Sequence, residues 1–598
     1  MSASRNPASL CALLAAAVIP LAGLWWVTAG TFDLLKPWNF GNVYEDQTDS
    51  LLSGRADVRC NIATGEAFIR DGKCYLYFGP APGLLRLPLL WLKPEWTGRL
   101  SGAMVWMAHL LLLLAVGLIL VEAGHAFGTW TSTFYLLLTA FGSTIPNMWG
   151  WPTTWVEAIS LALALGACSL YCLLRWARLG SGAWLIGAGL LAMLAFFTRI
   201  STGAGPLLAV GVAAAIEWRG KPRCRGAAAV ATLLLVGLSI LGYVALNKAR
   251  MGTYWNAVPI HLHVQYDAER LARIDGTLLH PEKGLPVLAG YLLDPPRFRG
   301  GFPWLEFQPG TLFEPPGMDF VDLHAGVLPT MPALAWLALA GLLGSRGKRR
   351  WTLLSPLVGI VLLVTVAAIA QRYVHEFVLL LAPAGAFGLH WAMATRTRRW
   401  ITYLLSAWSV YCCCALALVH QREVMYWVNQ DALDRYCTVR SEIDGFISGH
   451  ASVSGAERVR IRQTGSTYEF DGNRWHRCAG AAAGLFRIQV SFTALPEEPV
   501  KLLVVGKLPE ADTITLERAA GPGRYRVRMD HPGKPSEWGT EFELVPQREY
   551  LFETEIDRMH RRLSVKLDGA LAGQRKTGLV RWIETEVTVG APGRWIGD

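Results

Sequence analysis

The chain has 598 residues, of which 52% are hydrophobic and only 17% are charged, and it contains 25 tryptophans. This composition excludes an ordinary soluble enzyme and is typical of a polytopic membrane protein. The net charge of +10 does not indicate nucleic-acid binding, because the lysines and arginines form short runs between apolar segments. We therefore expect membrane lipids, and no nucleic acid, among the partners.

Apolar runs long enough to cross the hydrocarbon core recur through the first two thirds of the chain. The first run has a weak basic region before it and no small-residue cleavage site, so we interpret it as an uncleaved anchor. The fifth and sixth runs also fit one re-entrant pair. We predict about eleven transmembrane helices, at residues 8–30, 101–123, 130–145, 154–176, 183–198, 203–217, 226–246, 326–343, 353–370, 373–391 and 401–420.

The basic residues between these runs predict the orientation. Basic clusters after the fourth, sixth, eighth and tenth runs all fall on the same side as the N-terminus, which the positive-inside rule makes cytoplasmic. The opposite side receives residues 31–98 (the first loop), residues 248–325 (the second loop) and the tail. We predict a multi-pass protein of the bacterial inner (plasma) membrane, with a transmembrane domain at 1–424 and a periplasmic domain at 425–598.

The predicted external segments contain an even number of cysteines, as an oxidising compartment favours. Pairing of sequence neighbours predicts two disulfides, Cys60 with Cys74 and Cys437 with Cys478, out of three connectivities. No cysteine spacing resembles a zinc or iron–sulfur site.

The first loop begins with a predicted helix at Val43–Leu52. On that helix Glu45, Asp46 and Asp49 share one arc and the apolar side chains share the other. This pattern predicts a helix on the membrane surface with its acids turned away from lipid, and an amphipathic linker with merely solvated acids is an alternative of equal weight. Further along, Asp71-Gly72 predicts a hairpin turn, and the proline-broken segment 79–96 predicts an interfacial helix.

The second loop and the tail differ in pattern. The second loop is rich in proline, glycine and aromatic residues and predicts an irregular lid. Its His261 and His263 are interpreted as substrate contacts or packing groups, with metal ligation as the weaker alternative. The tail has ten short runs of period two, which predict an antiparallel β-sandwich of about 150 residues. One hairpin resembles lectin-like sandwiches, so a carbohydrate-binding role competes with a structural cap.

Arg199 and Arg372 each lie at the predicted external end of an apolar run. Charges at membrane depth are costly and mark function, although either arginine also fits a side chain that snorkels to the interface. Guanidinium groups bind phosphate in a fixed fork geometry. Arg372 has Glu376 one helical turn onward, which predicts a pair that orients the guanidinium.

The chain resembles the GT-C glycosyltransferases, which are polytopic membrane enzymes that use polyprenyl-phosphate-linked sugars. The residues that carry the resemblance are Glu45-Asp46-Gln47-Thr48-Asp49, Asp71-Gly72-Lys73, Tyr77-Phe78-Gly79-Pro80-Ala81-Pro82, Thr198-Arg199 and Gln371-Arg372-Tyr373. The resemblance implies a membrane all-α, GT-C-like fold, followed here by the all-β sandwich (jelly-roll or lectin-like) of the tail.

The resemblance also implies roles for residues. A first-loop carboxylate, with Asp46 first and Asp49 and Glu45 as fallbacks, is the expected base, and Arg372 and Arg199 bind the donor phosphate. The pocket candidates are Tyr75, Tyr77, Arg86, His261, His263 and Glu376. The sequence has DQTD where some relatives have adjacent acids, so a divalent cation stays open and no cofactor is predicted with certainty.

The reaction that the resemblance implies is inverting transfer of a sugar from a polyprenyl phosphate or pyrophosphate donor to a glycan, lipid or protein acceptor on the periplasmic face. An O-antigen ligase or polymerase-like transferase is one alternative. A membrane transporter with a glycan-binding β-domain is another, although no repeat symmetry between two halves is visible.

Overall fold

The computed structural model describes residues 7–38, 40–126, 128–220, 223–256, 258–299, 302–308, 310–313, 316–424, 432, 435–436, 439, 443, 460–463, 466–470, 475–477, 485–492, 495–505, 512–530, 535–546, 548–557, 562–576 and 587–589. The chain divides into two compact units. The first comprises Met1–Phe298 and Leu305–Ala417, and the second comprises Arg299–Trp304 and Leu418–Asp598.

The first unit is mostly helical, and long and short helices are interspersed along it. The helices before the second loop are α1 (Pro7–Val27), α2 (Val43–Leu52), α3 (Cys60–Ala63), α4 (Ala81–Leu92), α5 (Ser101–Glu122), α6 (Trp130–Phe141), α7 (Ile145–Trp149), α8 (Thr154–Leu179), α9 (Gly182–Thr198), α10 (Ile200–Gly220) and α11 (Arg223–Met251). The later helices are α12 (Ala268–Arg273), α13 (Gly284–Leu293), α14 (Val327–Thr330), α15 (Pro332–Gly344), α16 (Gly347–Leu354), α17 (Leu357–Val364), α18 (Gln371–Val374), α19 (Val378–Met393) and α20 (Arg396–Val419).

Six helices in the described part of the chain are long and apolar enough to cross a membrane. They are Ser101–Glu122, Thr154–Leu179, Ile200–Arg219, Gly226–Met251, Gln371–Met393 and Arg396–Arg422. Shorter apolar helices occupy Ala17–Val27, Ala81–Leu92, Gly182–Thr198 and Pro332–Gly344. The chain is therefore a helical membrane protein, whereas the count of eleven spans stays a prediction.

The predicted span at 353–370 is not a single helix. Helix α16 ends at Leu354, Pro356 precedes α17, and α17 ends at Val364. The chain then forms β6 (Ala368–Ile369), which pairs in parallel with β5 (Phe320–Val321) of the second loop. Proline lacks the N–H that a continuous helix needs, so the helix is interrupted between α16 and α17. The pairing of β6 with β5 then brings the second loop to the start of α18.

The first loop folds as its turn residues predict. Helix α2 has the predicted bounds, and β1 (Phe68–Arg70) pairs antiparallel with β2 (Lys73–Tyr75). Asp71 and Gly72 both have positive φ, 53° and 72°, as a two-residue hairpin turn requires. Cys60 and Cys74 are joined by a disulfide, as the pairing of sequence neighbours predicted, while Cys437 and Cys478 lie outside the described residues.

A buried ion cluster joins the first loop to the long helix α8. Arg86, on α4, donates from Nη1 to Glu45 Oε1 at 2.7 Å and from Nε to Glu157 Oε1 at 3.0 Å, and its Nη2 also bonds Ser101 Oγ at 2.9 Å. The Arg86 and Glu157 side chains are fully buried. The guanidinium uses all its donors and pairs with two buried carboxylates, so this cluster connects α2, α4, α5 and α8.

The second loop contains more regular structure than the irregular lid that its composition predicted. It includes α12, α13, β5 and the antiparallel pair β3 (Arg297–Phe298) and β4 (Leu305–Glu306). Arg270 on α12 binds Asp319 with two bonds, Nε to Oδ1 at 2.6 Å and Nη2 to Oδ2 at 2.9 Å. Tyr266 donates a further bond to the same carboxylate, so Asp319 ties the two ends of the loop together.

The described part of the second unit is mainly β-sheet. Its strands are β7 (Arg460–Gln463), β8 (Ser466–Phe470), β9 (Trp475–Arg477), β10 (Leu485–Ser491), β11 (Val500–Val505), β12 (Asp512–Arg518), β13 (Arg524–Asp530), β14 (Glu537–Trp538), β15 (Phe542–Glu543), β16 (Glu549–Asp557), β17 (Arg562–Leu567), β18 (Ala570–Lys576) and β19 (Val587–Val589). Each of the ten predicted runs contains one of these strands, and β9, β14 and β18 were not predicted.

Two antiparallel sheets of this unit share one core. The four-stranded sheet has the order β10-β16-β17-β18, and the larger sheet has the order β14-β13-β12-β11-β19, with β15 also paired to β13. Leu516 and Val527 of the larger sheet belong to the same buried cluster as Phe552 and Val565 of the smaller one. Most neighbours within a sheet are consecutive in sequence, so the predicted jelly-roll topology, which requires two Greek keys, is not confirmed.

We expect Arg86→Gln to destabilise the first unit strongly. Removal of the cation leaves Glu45 and Glu157 buried as unpaired like charges, and breaking a buried ion pair costs about 3–5 kcal/mol. Arg55→Gln is the matched control, because the Arg55 side chain is 53% exposed and an exposed pair contributes at most about 1 kcal/mol. Thermal unfolding in detergent measures both. Equal melting temperatures for the two variants would contradict a structural role of the cluster.

Candidate functional site

Arg199 and Arg372 converge on one aromatic ring in the first unit. Arg199 follows the last residue of α9, and Arg372 is the second residue of α18. Their Cζ atoms lie 5.1 Å and 4.9 Å from the centroid of the Tyr373 ring, within the range of cation–π attraction. The two arginines that the sequence predicted as a phosphate site are therefore neighbours in space.

The acid partners of these arginines differ from the prediction. Glu376 binds Arg199, with Nε to Oε1 at 2.7 Å, and accepts a second bond from Thr202 Oγ1 at 2.9 Å. Arg372 instead donates from Nη1 to Asp322 Oδ2 at 2.9 Å. The predicted Arg372–Glu376 pair is wrong because α18 ends after four residues and continues as a 3₁₀ turn, in which the one-turn spacing of an α-helix no longer holds.

Arg372 keeps unused donor capacity. Its side chain is only 15% exposed, and its Nε is buried without a hydrogen-bond partner among the residues that the structure describes. A buried donor without a partner is costly and rare in folded proteins. An anionic oxygen placed here would satisfy it.

A carboxylate of the first loop completes the cluster. Glu66 ends the 3₁₀ turn Thr64–Glu66 just before β1. Burial raises the pKa of the Glu66 carboxyl to about 7, against hydrogen bonds from the Trp155 and Tyr77 side chains and against the positive charges of Arg372 and Arg270. Glu66 is thus partly ionised near neutral pH and able to accept a proton.

Tyr77 interacts electrostatically both with Glu66 and with the two arginines. Burial raises the pKa of its hydroxyl, the Glu66 carboxylate raises it further, and the charges of Arg199 and Arg372 act in the opposite direction. The phenol therefore stays protonated and serves as a hydrogen-bond donor. Its ring stacks on Phe78 with a centroid separation of 4.5 Å, which fixes its orientation.

The segment that carries Tyr77 is held by close backbone packing. A Cβ on Gly79 would lie 1.9 Å from the Phe197 carbonyl oxygen and 2.8 Å from that of Thr198. The Phe78 carbonyl accepts bonds from Arg250 Nη1 at 2.8 Å and from Gln47 Nε2 at 3.0 Å. Only glycine permits this approach, which places Tyr77 beside the end of α9 and hence near Arg199.

The second loop also reaches the cluster. A Cβ on Gly65 would lie 2.7 Å from Gln265 Nε2, so the Glu66 turn packs on the second loop. Asp319 and Asp322 flank the β5 strand, and their backbone N–H groups donate to Ala367 and Ile369 at 2.8 Å each. Asp322, the partner of Arg372, is therefore positioned by the break after α17.

The predicted first-loop acids lie elsewhere. Glu45 and Asp46 are buried, 6% and 4% exposed, so the prediction of an acid arc facing water is wrong for both, and only Asp49 is exposed. The helix instead packs between α4 and the hairpin segment. Both carboxylate oxygens of Asp46 accept bonds from Arg59, one from its backbone N at 2.8 Å and the other from its guanidinium.

The pocket candidates divide into two groups. Tyr77 and Glu376 belong to the cluster. Arg86 does not, since its donors are used in the buried ion cluster and its side chain is inaccessible, which corrects the prediction that it lines a pocket.

Tyr75 and the two histidines lie beside the cluster rather than in it. Tyr75 is 5% exposed and has the Arg70 guanidinium 4.8 Å from its ring centroid. His263 packs edge-on against Phe68 with a centroid separation of 4.7 Å, and His261 is exposed. His263 therefore packs against the hairpin, and a role of either histidine as a substrate contact stays a prediction.

Glu66, Trp155, Asp322 and Arg270 are the cluster residues that sequence reasoning missed. Glu66 has one weak signal, a carboxylate next to the cysteine-flanked hairpin in the loop that the resemblance singled out. The others come from distant segments and carry no local signal. Within the described ranges, no group of three or more His, Cys, Asp or Glu side chains is arranged to hold a metal ion.

Comparison with known proteins finds distant structural likeness only. No family model and no curated protein matches the chain. Solved structures that match are the oligosaccharyltransferase of Archaeoglobus fulgidus in its apo form, at 14% identity and a TM-score of 0.39, covering 69% of this chain and 56% of that one. The same organism's AglB, in complex with an inhibitory peptide and a dolichol-phosphate, matches at 13% identity and a TM-score of 0.39, covering 71% and 59%.

A third structure, the oligosaccharyltransferase tethered to an acceptor peptide with the NVT sequon, matches at 15% identity and a TM-score of 0.38 and covers 69% of this chain. The chain thus spans between 55% and 59% of the length of these proteins. They are GT-C glycosyltransferases, the family that the sequence resemblance named. Because the likeness is this distant, we base the function on the chain's own residues.

We expect Gly79→Ala to disrupt the cluster. The added methyl group would meet backbone oxygen atoms that cannot move aside independently, so the Tyr77 segment must shift away from the end of α9. The matched control is Gly237→Ala, because a Cβ there has open space and alanine favours the helix by about 1 kcal/mol. Thermal unfolding should show a loss for the first variant and no loss for the second. An unchanged melting temperature in Gly79→Ala would contradict the close packing.

Proposed function

We propose that the chain is a membrane glycosyltransferase that moves a sugar from a polyprenyl-phosphate-linked donor to an acceptor hydroxyl, with inversion. The observation that supports this most directly is a carboxylate with a raised pKa, Glu66, that interacts electrostatically with Arg372, one of the two arginines that share the Tyr373 ring. A base and an anion-binding pair in one partly buried site match the needs of this reaction.

In the proposed reaction the Glu66 carboxylate takes the proton of the acceptor hydroxyl while the acceptor oxygen attacks the anomeric carbon. The bond from that carbon to the phosphate oxygen breaks, and the electron pair leaves with the phosphate. The products are the glycoside, the polyprenyl phosphate and protonated Glu66. Arg372 and Arg199 stabilise the charge that develops on the phosphate, and partial burial strengthens this effect.

Asp46 stays the alternative base, followed by Asp49 and Glu45. We place Glu66 ahead of Asp46 because both Asp46 oxygens already accept bonds from Arg59, so neither oxygen is free to contact an acceptor hydroxyl. Glu45 is committed to Arg86. Asp49 is exposed near the C-terminal end of α2.

The finer features of the proposal follow the sequence. We place the site on the periplasmic face of a bacterial inner membrane, because the basic runs lie on the opposite side. The acceptor is a glycan, a lipid or a protein hydroxyl. We further propose that the β-sheet unit docks a glycan, since its larger sheet carries an exposed tryptophan, Trp538, flanked by arginines.

We expect Glu66→Gln to lower kcat/KM by about a hundred- to ten-thousand-fold, as loss of a general base does, with polyprenyl phosphate binding largely intact. In the wild type, kcat/KM should rise with pH through about 7 and level off above it, because the carboxyl whose pKa burial raises to about 7 must be ionised. The variant should lack that step. Sugar transfer from supplied polyprenyl-phosphate sugars measures both.

The control for Glu66→Gln is Asp46→Asn, assayed under the same conditions. Turnover near that of the wild type in Glu66→Gln, together with lost turnover in Asp46→Asn, would return the base to Asp46. Loss of activity in Glu66→Gln without any change in the pH profile would contradict a base role.

We expect Arg372→Lys to weaken binding of a polyprenyl phosphate by roughly tenfold, since lysine keeps the charge but loses the fork. Arg199→Lys should have a smaller effect, because Nε of Arg199 is already committed to Glu376. Arg297→Lys is the control, at an exposed site in the same unit. Equal affinity in Arg372→Lys and the control, at unchanged melting temperature, would rule out Arg372 as a phosphate ligand.

A further inference from the structure

The outer face of the larger β-sheet carries several arginines and an exposed tryptophan. Strand β13 alternates in burial, with Val527 in the shared core and Arg524, Arg526 and Arg528 on the opposite face. The edge strand β14 places Trp538 directly across from Arg528. The indole is 43% exposed, so a large aromatic surface lies open among arginines.

The Arg526 guanidinium stacks on this indole. Its Cζ lies 3.7 Å from the Trp538 ring centroid, whereas that of Arg528 lies 5.7 Å away. This distance is within the range of cation–π attraction, so the charge of Arg526 is held beside the indole.

Arg526 differs from its neighbours in having no acid partner. Arg528 binds Glu517, and its Nε also bonds Asp530 Oδ2 at 2.9 Å. Arg524 lies 3.5 Å from Glu541. Within the described part of the sheet, the Arg526 side chain forms no ion pair or hydrogen bond, because Glu517, directly across from it on β12, binds Arg528 instead. The Arg526 Nε is buried without a partner.

The acids nearby are held in place by other groups. Asp530 accepts bonds from Arg528, from Thr513 Oγ1 at 3.1 Å and from Ser536 Oγ. Its oxygens are therefore engaged and do not neutralise Arg526. One fixed positive charge beside an open indole is complementary to a ligand that combines a carboxylate with an apolar face.

We propose that this face, centred on Arg526 and Trp538, binds an acidic saccharide. The carboxylate of a uronic acid accepts two bonds from the Arg526 guanidinium in fork geometry, and the C–H face of the sugar ring covers the open part of the indole. The proposal rests on the proposed glycan-docking role of the β-sheet unit and names the charge class of its ligand. It is independent of the chemistry at Glu66.

The test is binding of an oligogalacturonate to the full-length protein in detergent, measured by calorimetry beside a neutral maltooligosaccharide of equal length. We expect the acidic ligand to bind at least tenfold more tightly than the neutral one. Arg526→Gln should weaken binding of the acidic ligand by roughly tenfold to a hundredfold, as loss of a charge-assisted hydrogen bond does. Arg526→Lys should weaken binding of the acidic ligand less, and Trp538→Ala should weaken binding of both ligands.

The matched control is Arg548→Gln, because Arg548 also faces an aromatic ring, Tyr550 at 5.0 Å, but is paired with Asp568 at 3.1 Å. The Arg548→Gln variant should bind the acidic ligand with the affinity of the wild type. Unchanged binding of the acidic ligand in Arg526→Gln would overturn this site but would not contradict the docking role of the β-sheet unit.

Failure of both saccharides to bind would overturn the site and the docking role together. Equal affinity for a single-stranded oligonucleotide of matched charge would overturn recognition of a saccharide.

Discussion

The buried guanidinium of Arg86 is the constraint on which the first unit depends. It binds Glu45 of α2 and Glu157 of α8 while it sits on α4, and it is inaccessible to solvent. Neither carboxylate could be buried without this cation. The first loop is thereby attached to the long helix α8, whose first turn also supplies Trp155 to the candidate site. Glu45, one of the acids that the sequence offers as catalytic groups, is used for this attachment.

The candidate site forms where three separate segments meet. The hairpin loop brings Glu66 and Tyr77, the end of α9 brings Arg199, and the broken helix after α17 brings Arg372. Backbone contacts set their spacing, since Gly79 touches the end of α9 and β5 pairs with β6. The two arginines and the Glu66 carboxylate thus belong to one packed region, which limits how far any of them can move.

In the β-sheet unit, the alternation of apolar and polar side chains along each strand determines which residues form the core. Its strands keep apolar side chains in one shared core and polar ones outside. On the outer face most charges neutralise each other, as Arg528 does with Glu517 and Asp530. Against that background the unpaired Arg526 stands out chemically. Among the described residues of this face, Arg526 combines a side chain without an acid partner with contact to an exposed indole.

The sequence by itself determined the elements whose signals are local. The helix at Val43–Leu52, the Asp71-Gly72 turn, the Cys60–Cys74 disulfide and the ten β-runs were predictable, because hydrophobic period, turn chemistry and cysteine spacing act over a few residues. Arg199 and Arg372 were predictable as a pair, because charge at membrane depth is rare.

Only the tertiary structure decided which carboxylate is available. Asp46 and Glu45 attract attention in the sequence, yet Arg59 and Arg86 engage them, whereas Glu66 gains its raised pKa from burial beside Trp155 and Tyr77. The ion pairs of Glu376 with Arg199 and of Asp322 with Arg372 likewise could not be predicted from the sequence. Burial and pairing depend on segments far apart in sequence, and no local pattern encodes the distance between them.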